Sequence, residues 1–397
     1  MKPNAFLFFC IILVLIVYYT IEYVLHKRTI SSFTHRIHVN GTRGKSSVTR
    51  LIRAGLSSMG IKVFAKTTGT MAREIHPDGT EYSIRRYGKP SILEQIKILK
   101  KAKSTGAGIV VIECMALEPR YQWASEALIL KSDIGVLTNI REDHLDVMGP
   151  SLFDVAKSLA SSIPIAGTVF TGKHLFNDLM TYVTKDRNTK YFPWQTEDEN
   201  TVNQKEMEMF PYWEHKENVS LALKVCIYLG ADRKKALEAM WQSKPDPGAL
   251  TITPIHFYGN HFLFINAMAA NDPNSTKFIW NETKTRFQDY KHRIILFHVR
   301  EDRADRSIQL MKEISNWKDY DSIIFIGTGT NIAVQSLKES TTNDVSIFIW
   351  ENFSLDEIFE SLLSVLPKQS IVFAIGNIVG LGMDLTQYLK NRSEQII

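Results

Sequence analysis

The chain has 397 residues, which is enough for two or three domains that each bury a hydrophobic core. Its hydrophobic and charged contents, 44% and 22%, are those of a globular protein, and its three cysteines show neither metal-site nor disulfide spacing. The net charge of +5 is mild and no Lys/Arg tract carries interleaved aromatic residues, so the composition argues against a nucleic-acid partner.

The first predicted element is an apolar helix over residues 5–24. A helix needs about 20 residues to cross a bilayer, and tyrosines gather at the carboxyl end of this segment, as they do at membrane interfaces. A cleaved signal peptide would have a shorter apolar core and a small-residue cleavage site after it. Because residues 26–28 are His-Lys-Arg and only Lys2 flanks the other end, we expect a single-pass anchor in the cell membrane. This anchor covers residues 1–28, a short polar linker follows over residues 29–35, and the rest of the chain is expected in the cytoplasm.

A strand over residues 36–39 runs into a glycine-containing loop and then into a helical pattern. Glycines let successive backbone N–H groups point at phosphate oxygens, and a helix N-terminus adds partial positive charge. Lys45 is placed to reach the β- and γ-phosphates, and Ser46 to offer its hydroxyl to Mg²⁺. Val39 stands where the first glycine of the full phosphate-loop pattern belongs, so an ordinary strand-to-helix turn is the alternative. The predicted nucleotide-binding residues are Asn40, Gly41, Thr42, Arg43, Gly44, Lys45, Ser46 and Ser47.

Two further predicted strands end in groups that suit a metal–nucleotide site. Residues 108–113 form a continuous apolar run that ends in Glu113, and a similar strand over residues 134–140 leads to His144. The carboxyl ends of parallel strands are where open α/β sheets bind ligands. Mg²⁺ prefers carboxylate and phosphate oxygens, which Glu113 and a nucleotide supply, and His144 can bind a second metal ion through a neutral nitrogen. The structural alternatives are a surface carboxylate for Glu113 and a capped loop residue for His144.

The sequence Pro-Asp-Pro-Gly at residues 245–248 predicts a boundary between a domain over residues 29–246 and one over residues 247–397. Beyond it, strand-like segments separated by helical patterns predict a second, doubly wound α/β domain. An Arg/Asp cluster at residues 300–306 follows one of these strands, which favours a ligand-facing role over a salt-bridged surface. In the second domain, strands are predicted at residues 262–266, 293–297, 322–326, 345–349 and 371–375. In the first domain, helices are predicted at residues 91–103, 151–162, 218–228 and 236–240, and an irregular surface segment at residues 185–212.

Several short motifs follow one another in a fixed order along the chain. They are Asn-Gly-Thr-Arg-Gly-Lys-Ser at 40–46, Lys-Thr-Thr-Gly-Thr at 66–70, Glu-Cys-Met-Ala at 113–116, Glu-Asp-His-Leu-Asp-Val-Met-Gly-Pro at 142–150, Pro-Asp-Pro-Gly at 245–248, Ala-Ala-Asn-Asp at 269–272 and Asp-Arg-Ala-Asp-Arg at 302–306. In these motifs the chain resembles the Mur ligase superfamily of ATP-dependent amide-bond ligases. The resemblance is closest to the membrane-bound ligase subunits of poly-γ-glutamate synthase, the PgsB/CapB type. It implies an α/β protein with an N-terminal transmembrane helix, a P-loop-type central ATPase domain and a C-terminal Rossmann-like domain.

The resemblance also implies a reaction. ATP phosphorylates the γ-carboxylate of a glutamate, and the amine of another glutamate attacks the acyl phosphate, with release of ADP and phosphate. ATP and Mg²⁺ are the implied cofactors, and glutamate or the growing poly-γ-glutamate chain is the implied substrate. Arg303 and Asp305 are expected to close over the nucleotide and the acyl phosphate. In this assignment the catalytic residues are Lys45, His144, Arg303 and Asp305, the metal ligands are Ser46, Glu113 and His144, and Asn271 joins the nucleotide-binding residues.

The same residues leave two alternative functions open and indicate one class of partner proteins. A ligase of this superfamily could instead act on another small carboxylate, as folylpolyglutamate synthase does, or the chain could be an ATP-driven subunit of an export complex. One anchor helix cannot form a channel for a polymer. Small membrane-protein subunits are therefore expected as partners.

Overall fold

The computed structural model of the chain describes residues 3–69, 71–86, 88, 90–246, 250–257, 259–270, 273–340 and 345–393. The chain divides into two compact units, Met1–Asp246 and Pro247–Ile397, which we call unit 1 and unit 2. Five residues of the motifs quoted above lie outside the described residues: Thr70, Pro247, Gly248, Asn271 and Asp272.

Unit 1 begins with a long helix, α1 (Pro3–Ile30). Within the described part of the chain, this is the helix whose length and composition suit a membrane span. The predicted linker over residues 29–35 is wrong at its start, because α1 continues to Ile30, whose side chain is buried in unit 1. Residues 31–34 therefore connect α1 to the first strand, β1 (His35–Asn40).

A mainly parallel sheet forms the centre of unit 1. Its other strands are β2 (Val63–Thr67), β3 (Arg73–Ile75), β4 (Glu81–Ser83), β5 (Ile109–Glu113), β6 (Ile134–Leu137), β7 (Thr168–Thr171) and β8 (Lys190–Phe192). Among the described residues these eight strands lie in the order β4-β3-β2-β5-β1-β6-β7-β8, and pairs β2–β3 and β3–β4 are antiparallel. In the register, Val39 of β1 lies opposite Glu113 of β5, and Asn40 lies opposite Leu137 of β6. The carboxyl ends of these three strands thus meet at one edge of the sheet.

Helices cover both faces of this sheet. They are α2 (Lys45–Ser57), α3 (Glu94–Ser104), α4 (Pro119–Ala124), α5 (Leu145–Met148), α6 (Leu152–Ala160), α7 (Asn177–Asp186), α8 (Gln204–Glu208), α9 (Lys216–Tyr228) and α10 (Arg233–Trp241), with a π-helical turn at Ser125–Leu130. Because side chains alternate along a strand, Ile37 and Val39 of β1 pack with α2, α9 and α10, whereas His38 points to the opposite face. The prediction of an irregular surface over residues 185–212 is wrong in part, since β8, a 3₁₀ helix (Thr196–Asn200) and α8 lie there.

A buried ion pair joins β1 to the π-helical turn. His38 Nδ1 lies 2.7 Å from Glu126 Oε2, and both side chains are buried. Glu126 also accepts hydrogen bonds from the backbone N–H and the hydroxyl of Ser132, each at 2.8 Å. Burial alone would lower the pKa of His38, but its contacts with the Cys114 thiol and the Glu126 carboxylate outweigh burial and raise the pKa to about 10. The imidazole ring is therefore charged at neutral pH.

We expect Glu126→Ala to lower the free energy of unfolding by about 3–5 kcal/mol, because the imidazolium would stay buried without its counterion. Denaturant titration of the purified chain followed by circular dichroism measures the loss. The folded pKa of His38 lies above its ordinary value of 6.5, so the stabilisation is complete below pH 6.5 and is lost as the pH rises toward about 10. The difference from the wild type should therefore shrink at alkaline pH. Glu238→Ala, in an exposed pair on α10, is the control, and an equal loss in both variants would contradict the role of the pair.

Unit 2 contains a second sheet with helices between its strands. Its strands are β9 (Thr251–Phe257), β10 (Asn260–Asn266), β11 (His292–Val299), β12 (Ser322–Gly327), β13 (Ser346–Glu351) and β14 (Ser370–Gly376), and its helices are α11 (Pro273–Arg286), α12 (Ala304–Ile314), α13 (Thr330–Ser340), α14 (Leu355–Val365) and α15 (Leu381–Ser393). In the described part of unit 2 the strand order is β13-β12-β11-β14-β10-β9, and only β9 is antiparallel to its neighbour. The predicted strands β10 to β14 are confirmed, whereas the half-exposed β9 was missed because it lacks a continuous apolar run.

Candidate active site

The loop between β1 and α2 takes a path that requires glycine at two positions. Gly41 has a φ of 132°, and a Cβ atom there would lie 2.1 Å from Thr138 Oγ1. Gly44 has a φ of 78°, and a Cβ atom there would lie 2.5 Å from Asn218 Oδ1. Any other residue at either position would clash with a neighbour and strain the backbone. The two glycines therefore set the shape of the loop.

Asn139, just beyond β6, holds this loop from one side. Its Oδ1 accepts hydrogen bonds from the Thr42 hydroxyl at 2.7 Å and from the Arg43 N–H at 3.0 Å. Its backbone oxygen accepts the Thr42 N–H at 3.1 Å, and the Gly41 N–H is taken by Asn40 Oδ1 at 2.8 Å. The loop amides of residues 41–43 are thus engaged within the protein. The first N–H groups of α2 have no partner within the helix, as at any helix N-terminus, and can donate to a phosphate group.

Asn40, predicted to bind the nucleotide, has a buried side chain. Its Nδ2 donates to Gln122 Oε1 and to Ser162 Oγ, both at 2.8 Å. With Oδ1 on the Gly41 N–H, the side chain supports the start of the loop from beneath.

Lys45 lies across the loop at the start of α2. Its Nζ donates to the backbone oxygen of Gly41 at 2.7 Å and to that of Thr42 at 3.2 Å. The ammonium group is therefore held over the loop, next to the partial positive charge of the helix N-terminus. Both features favour an anion at this position.

Ser46 and Glu113, two of the three predicted metal ligands, are in contact. Ser46 Oγ donates to Glu113 Oε2 at 2.8 Å, and the same oxygen accepts the Thr68 N–H at 2.6 Å. Glu113 is buried at the carboxyl end of β5. Gly69 packs so closely that a Cβ atom there would lie 2.5 Å from Ser46 Oγ. A carboxylate and a hydroxyl are hard oxygen ligands, so this pair fits a divalent cation that also binds phosphate oxygens.

His144, the third predicted ligand, reaches the loop through Asp143. His144 Nε2 lies 3.8 Å from Asp143 Oδ1, which lies 3.3 Å from an Arg43 guanidinium nitrogen. The half-exposed His144 has a φ of 44°, a conformation that is rare outside glycine and common at functional sites. Within the described ranges, no ion pair or hydrogen bond joins His144 to Ser46 or Glu113, and no group of three His, Cys, Asp or Glu could hold a metal ion by itself.

Sequence reasoning missed two residues at the loop, Glu214 and Asn218. Asn218 Nδ2 donates to Glu214 Oε1 at 2.9 Å, while its Oδ1 faces Gly44. Glu214 also accepts the His215 N–H at 2.8 Å and a hydrogen bond from the Ser47 hydroxyl. Burial raises the pKa of the Glu214 carboxyl group. The one sign of Asn218 in the sequence is its place as a polar residue at the start of an apolar helix stripe, and this pattern predicts only where the helix begins.

In unit 2, Arg303 and Asp305 lie where β11 gives way to α12, and both are exposed. The Arg303 N–H donates to the backbone oxygen of Arg300 at 3.0 Å, and the Arg300 guanidinium pairs with Asp302 at 2.7 Å. In this Arg/Asp cluster, Arg300 and Asp302 thus form a salt bridge, whereas Arg303 and Asp305 are exposed beyond the end of β11. Asn271, predicted to bind the nucleotide, lies outside the described residues.

Comparison with known proteins gives matches along both units. The family profile of the Mur ligase middle domain matches residues 39–209, and that of the poly-gamma-glutamate synthase CapB C-terminal domain matches residues 252–392. PGA synthase CapB of Bacillus subtilis (strain 168) is 34% identical over 357 residues, which cover 89% of this chain and 90% of that protein. The capsule biosynthesis protein CapB of Bacillus anthracis is 33% identical over 368 residues, which cover 92% of this chain and 78% of that protein. A bifunctional folylpolyglutamate synthase/dihydrofolate synthase from Yersinia pestis, solved with AMPPNP and Mn, shares the fold with a TM-score of 0.67 at 15% identity, covering 92% of this chain and 90% of that one.

Proposed function

We propose that this chain, which belongs to the Mur ligase superfamily and within it to the CapB family of poly-γ-glutamate synthases, builds poly-γ-glutamate at the site described above. The chain is an ATP-dependent amide ligase, and the family resemblance drawn from its motifs is confirmed. The γ-carboxylate of one glutamate accepts the γ-phosphoryl group of ATP, and the amine of another glutamate then displaces phosphate from the acyl phosphate. The observation that carries this assignment is the Ser46–Glu113 pair beside a glycine-shaped loop that is covered by Lys45.

The chemical difficulty of the first step is the repulsion between a carboxylate and a triphosphate. Phosphoryl transfer is catalysed mainly by positioning and by neutralisation of charge. Lys45 supplies one positive charge over the loop, and the N-terminus of α2 supplies oriented N–H groups. Asn139 and Asn218 hold the loop in place, so little reorganisation is needed when the nucleotide binds.

Ser46 and Glu113 are the residues that would hold a divalent cation, for which we propose Mg²⁺. When bound, such a cation neutralises phosphate charge and polarises the transferring phosphoryl group. We also propose that His144 acts on the substrate carboxylate that is phosphorylated. His144 lies near Asp143, which pairs with Arg43 of the loop, and among the described residues no ion pair or hydrogen bond joins it to Ser46 or Glu113. Arg303 and Asp305 of unit 2 are proposed to close over the nucleotide and to exclude water from the acyl phosphate.

We further propose that α1 anchors the chain in the cytoplasmic membrane with both units in the cytoplasm. Its length and composition suit a span, and positive residues Lys27 and Arg28 lie in its last turns. Because one helix cannot conduct a polymer, small membrane-protein subunits are the partners proposed for export.

The decisive experiment incubates membranes that contain the full chain with ATP, Mg²⁺ and isotope-labelled glutamate. Mass analysis should find γ-linked glutamate polymer and one ADP for each bond formed. ADP release without labelled amide product would favour the ATP-driven export subunit. Labelling of an added folate in place of polymer would favour a folylpolyglutamate-type ligase, and either result would contradict the proposal.

His144→Ala should reduce amide formation by about 10²-fold while nucleotide affinity changes by less than about threefold, because the imidazole is assigned to the carboxylate side. Labelled-glutamate incorporation and equilibrium binding of an ATP analogue measure the two quantities on one preparation. His292→Ala removes a half-exposed histidine of unit 2 that also lies near a carboxylate, and serves as the control. Equal losses of nucleotide binding and amide formation in His144→Ala would contradict the assignment.

A further inference from the structure

The carboxyl end of α1 is fixed to the core of unit 1. Ile30 and Phe33 are buried against α3, β5 and the π-helical turn. His26 Nε2 hydrogen-bonds the backbone oxygen of Ile129 at 2.7 Å, and Arg36 donates to that of Ile30 at 2.9 Å. A helix held by core packing and by hydrogen bonds has one direction relative to the rest of unit 1. The direction of α1 therefore determines which side of unit 1 faces the membrane.

α1 and α3 lie side by side and run in the same direction. Lys100 Nζ lies 3.4 Å from the Glu22 carboxylate, and Lys103 Nζ lies 3.3 Å from the backbone oxygen of Arg28. The later residue of α3 thus contacts the later residue of α1, as expected for two parallel helices. Residues of α3 that precede Lys100 lie toward the apolar, amino-terminal part of α1.

Both helices end at the amino edge of the sheet. The Thr34 N–H, just after α1, donates to the backbone oxygen of Gly108, just before β5, at 2.7 Å. Because β1 and β5 run away from this edge, the amino end of α1 points toward the opposite, carboxyl edge, which carries the phosphate loop and Glu113. From Ile30 back to Glu22, α1 rises about 12 Å, and β5 rises about 13 Å over its length. Glu22, near the end of the apolar segment, therefore lies about level with the carboxyl edge.

At this edge, around the amino end of α3 and on α4, lies a set of exposed apolar, aromatic and basic side chains that we call the α3–α4 corner. Leu93, just before α3, is 62% exposed, and Trp123 of α4 is 45% exposed. Tyr121 and Lys97 are also exposed, and Arg120 has a side chain that is 72% exposed. The α3–α4 corner is thus rich in the residue types that occupy the boundary between lipid and water. It consists of Leu93, Lys97, Arg120, Tyr121 and Trp123.

The two helices of this corner are tied to each other. The Ser125 hydroxyl, directly after α4, donates to Gln95 Oε1 of α3 at 2.8 Å, and both side chains are buried. α4 follows β5 by a short connection and so lies at the carboxyl edge. The end of α4 and the first turn of α3 are therefore held together in the corner.

We propose that the α3–α4 corner rests on the cytoplasmic face of the same membrane that α1 spans, with Trp123 and Tyr121 in the interface and Lys97 and Arg120 on anionic phospholipid headgroups. The inference rests on the membrane anchor given under the proposed function. Lys and Arg are attracted to the anionic cytoplasmic leaflet, and Trp and Tyr prefer the headgroup level. In this arrangement the α3–α4 corner holds unit 1 against the membrane, and the polymer is extended close to the bilayer that it must cross.

The test uses the full chain in vesicles of phosphatidylcholine and phosphatidylglycerol whose acyl chains carry bromine, a quencher of tryptophan fluorescence. α1 contains no tryptophan, so quenching reports on the two units. The chain has seven tryptophans, so contact of Trp123 alone should remove about one seventh of the emission. Trp123→Phe should abolish this loss, whereas Trp194→Phe should retain it. Lys97→Glu should reduce the quenching in anionic vesicles, and Lys234→Glu, on α10, should not.

Flotation of the vesicles separates the failure of this inference from the failure of the anchor. If the chain floats with the vesicles and Trp123 is not quenched, the anchor stands and the corner does not touch lipid. If the chain does not float, both the anchor and this inference are overturned.

Discussion

Lys45→Ala is expected to lower glutamate-dependent ADP release by about 10³-fold, because it removes the positive charge that lies over the phosphate loop. Among the described residues, Lys45 Nζ donates to the backbone oxygens of Gly41 and Thr42 and to no buried side chain, so its loss leaves the buried contacts of the loop in place. The free energy of unfolding should therefore change by less than about 1 kcal/mol. A coupled assay for ADP, run with and without glutamate, measures the effect on turnover.

Lys234→Ala is the matched control for this prediction. Lys234 lies on α10, its side chain is 83% exposed, and its pairing with Glu238 spans one helical turn. It removes the same charge from the chain without touching the loop. Full turnover in the Lys45 variant, or an equal loss in the control, would place the triphosphate elsewhere than at this loop.

The loop and the Ser46–Glu113 pair were predictable because their signals are local. A strand, two glycines and a Lys-Ser pair are contiguous in the sequence, and Glu113 stands at the end of a continuous apolar run. Parallel strands bring their carboxyl ends together whatever lies between them, so adjacent β1 and β5 placed Ser46 near Glu113. The same reasoning places His144 at the carboxyl edge of the sheet, but it cannot give the distance between His144 and the Ser46–Glu113 pair.

The buried polar supports of the loop were not predictable in the same way. Asn218 lies on α9 and Glu214 just before that helix, both far along the chain from the loop, and the packing of α9 against α2 brings Asn218 to Gly44. The direction of the Asn40 side chain is a different case. His38 and Asn40 share one face of β1, and a strict period of two would have assigned Asn40 to the buried face that holds Glu126 and Gln122. The strand pattern therefore accounts for the direction of the Asn40 side chain, which the phosphate-loop pattern does not.

Glu113→Gln is expected to lower ADP release by about 10²–10³-fold and to raise the Mg²⁺ concentration needed for half-maximal turnover. The amide oxygen of glutamine can still accept the Ser46 hydroxyl and the Thr68 N–H, so the loop geometry is kept. What disappears is the negative charge, and a hard divalent cation binds a neutral amide oxygen much more weakly than a carboxylate. Titration of turnover with Mg²⁺ measures the shift, and Glu118→Gln, a half-exposed carboxylate after the same strand, is the control.

The response to metal separates the Glu113 variant from the Lys45 variant. If Glu113 holds the cation, excess Mg²⁺ should restore part of the activity of Glu113→Gln, because mass action offsets a weaker site. It should restore none of the activity of Lys45→Ala, because the missing ammonium group is not a metal ligand. An unchanged Mg²⁺ requirement in Glu113→Gln would mean that this carboxylate only braces Ser46 and Thr68. The cation would then have to be held by phosphate oxygens and by residues other than the pair at the end of β5.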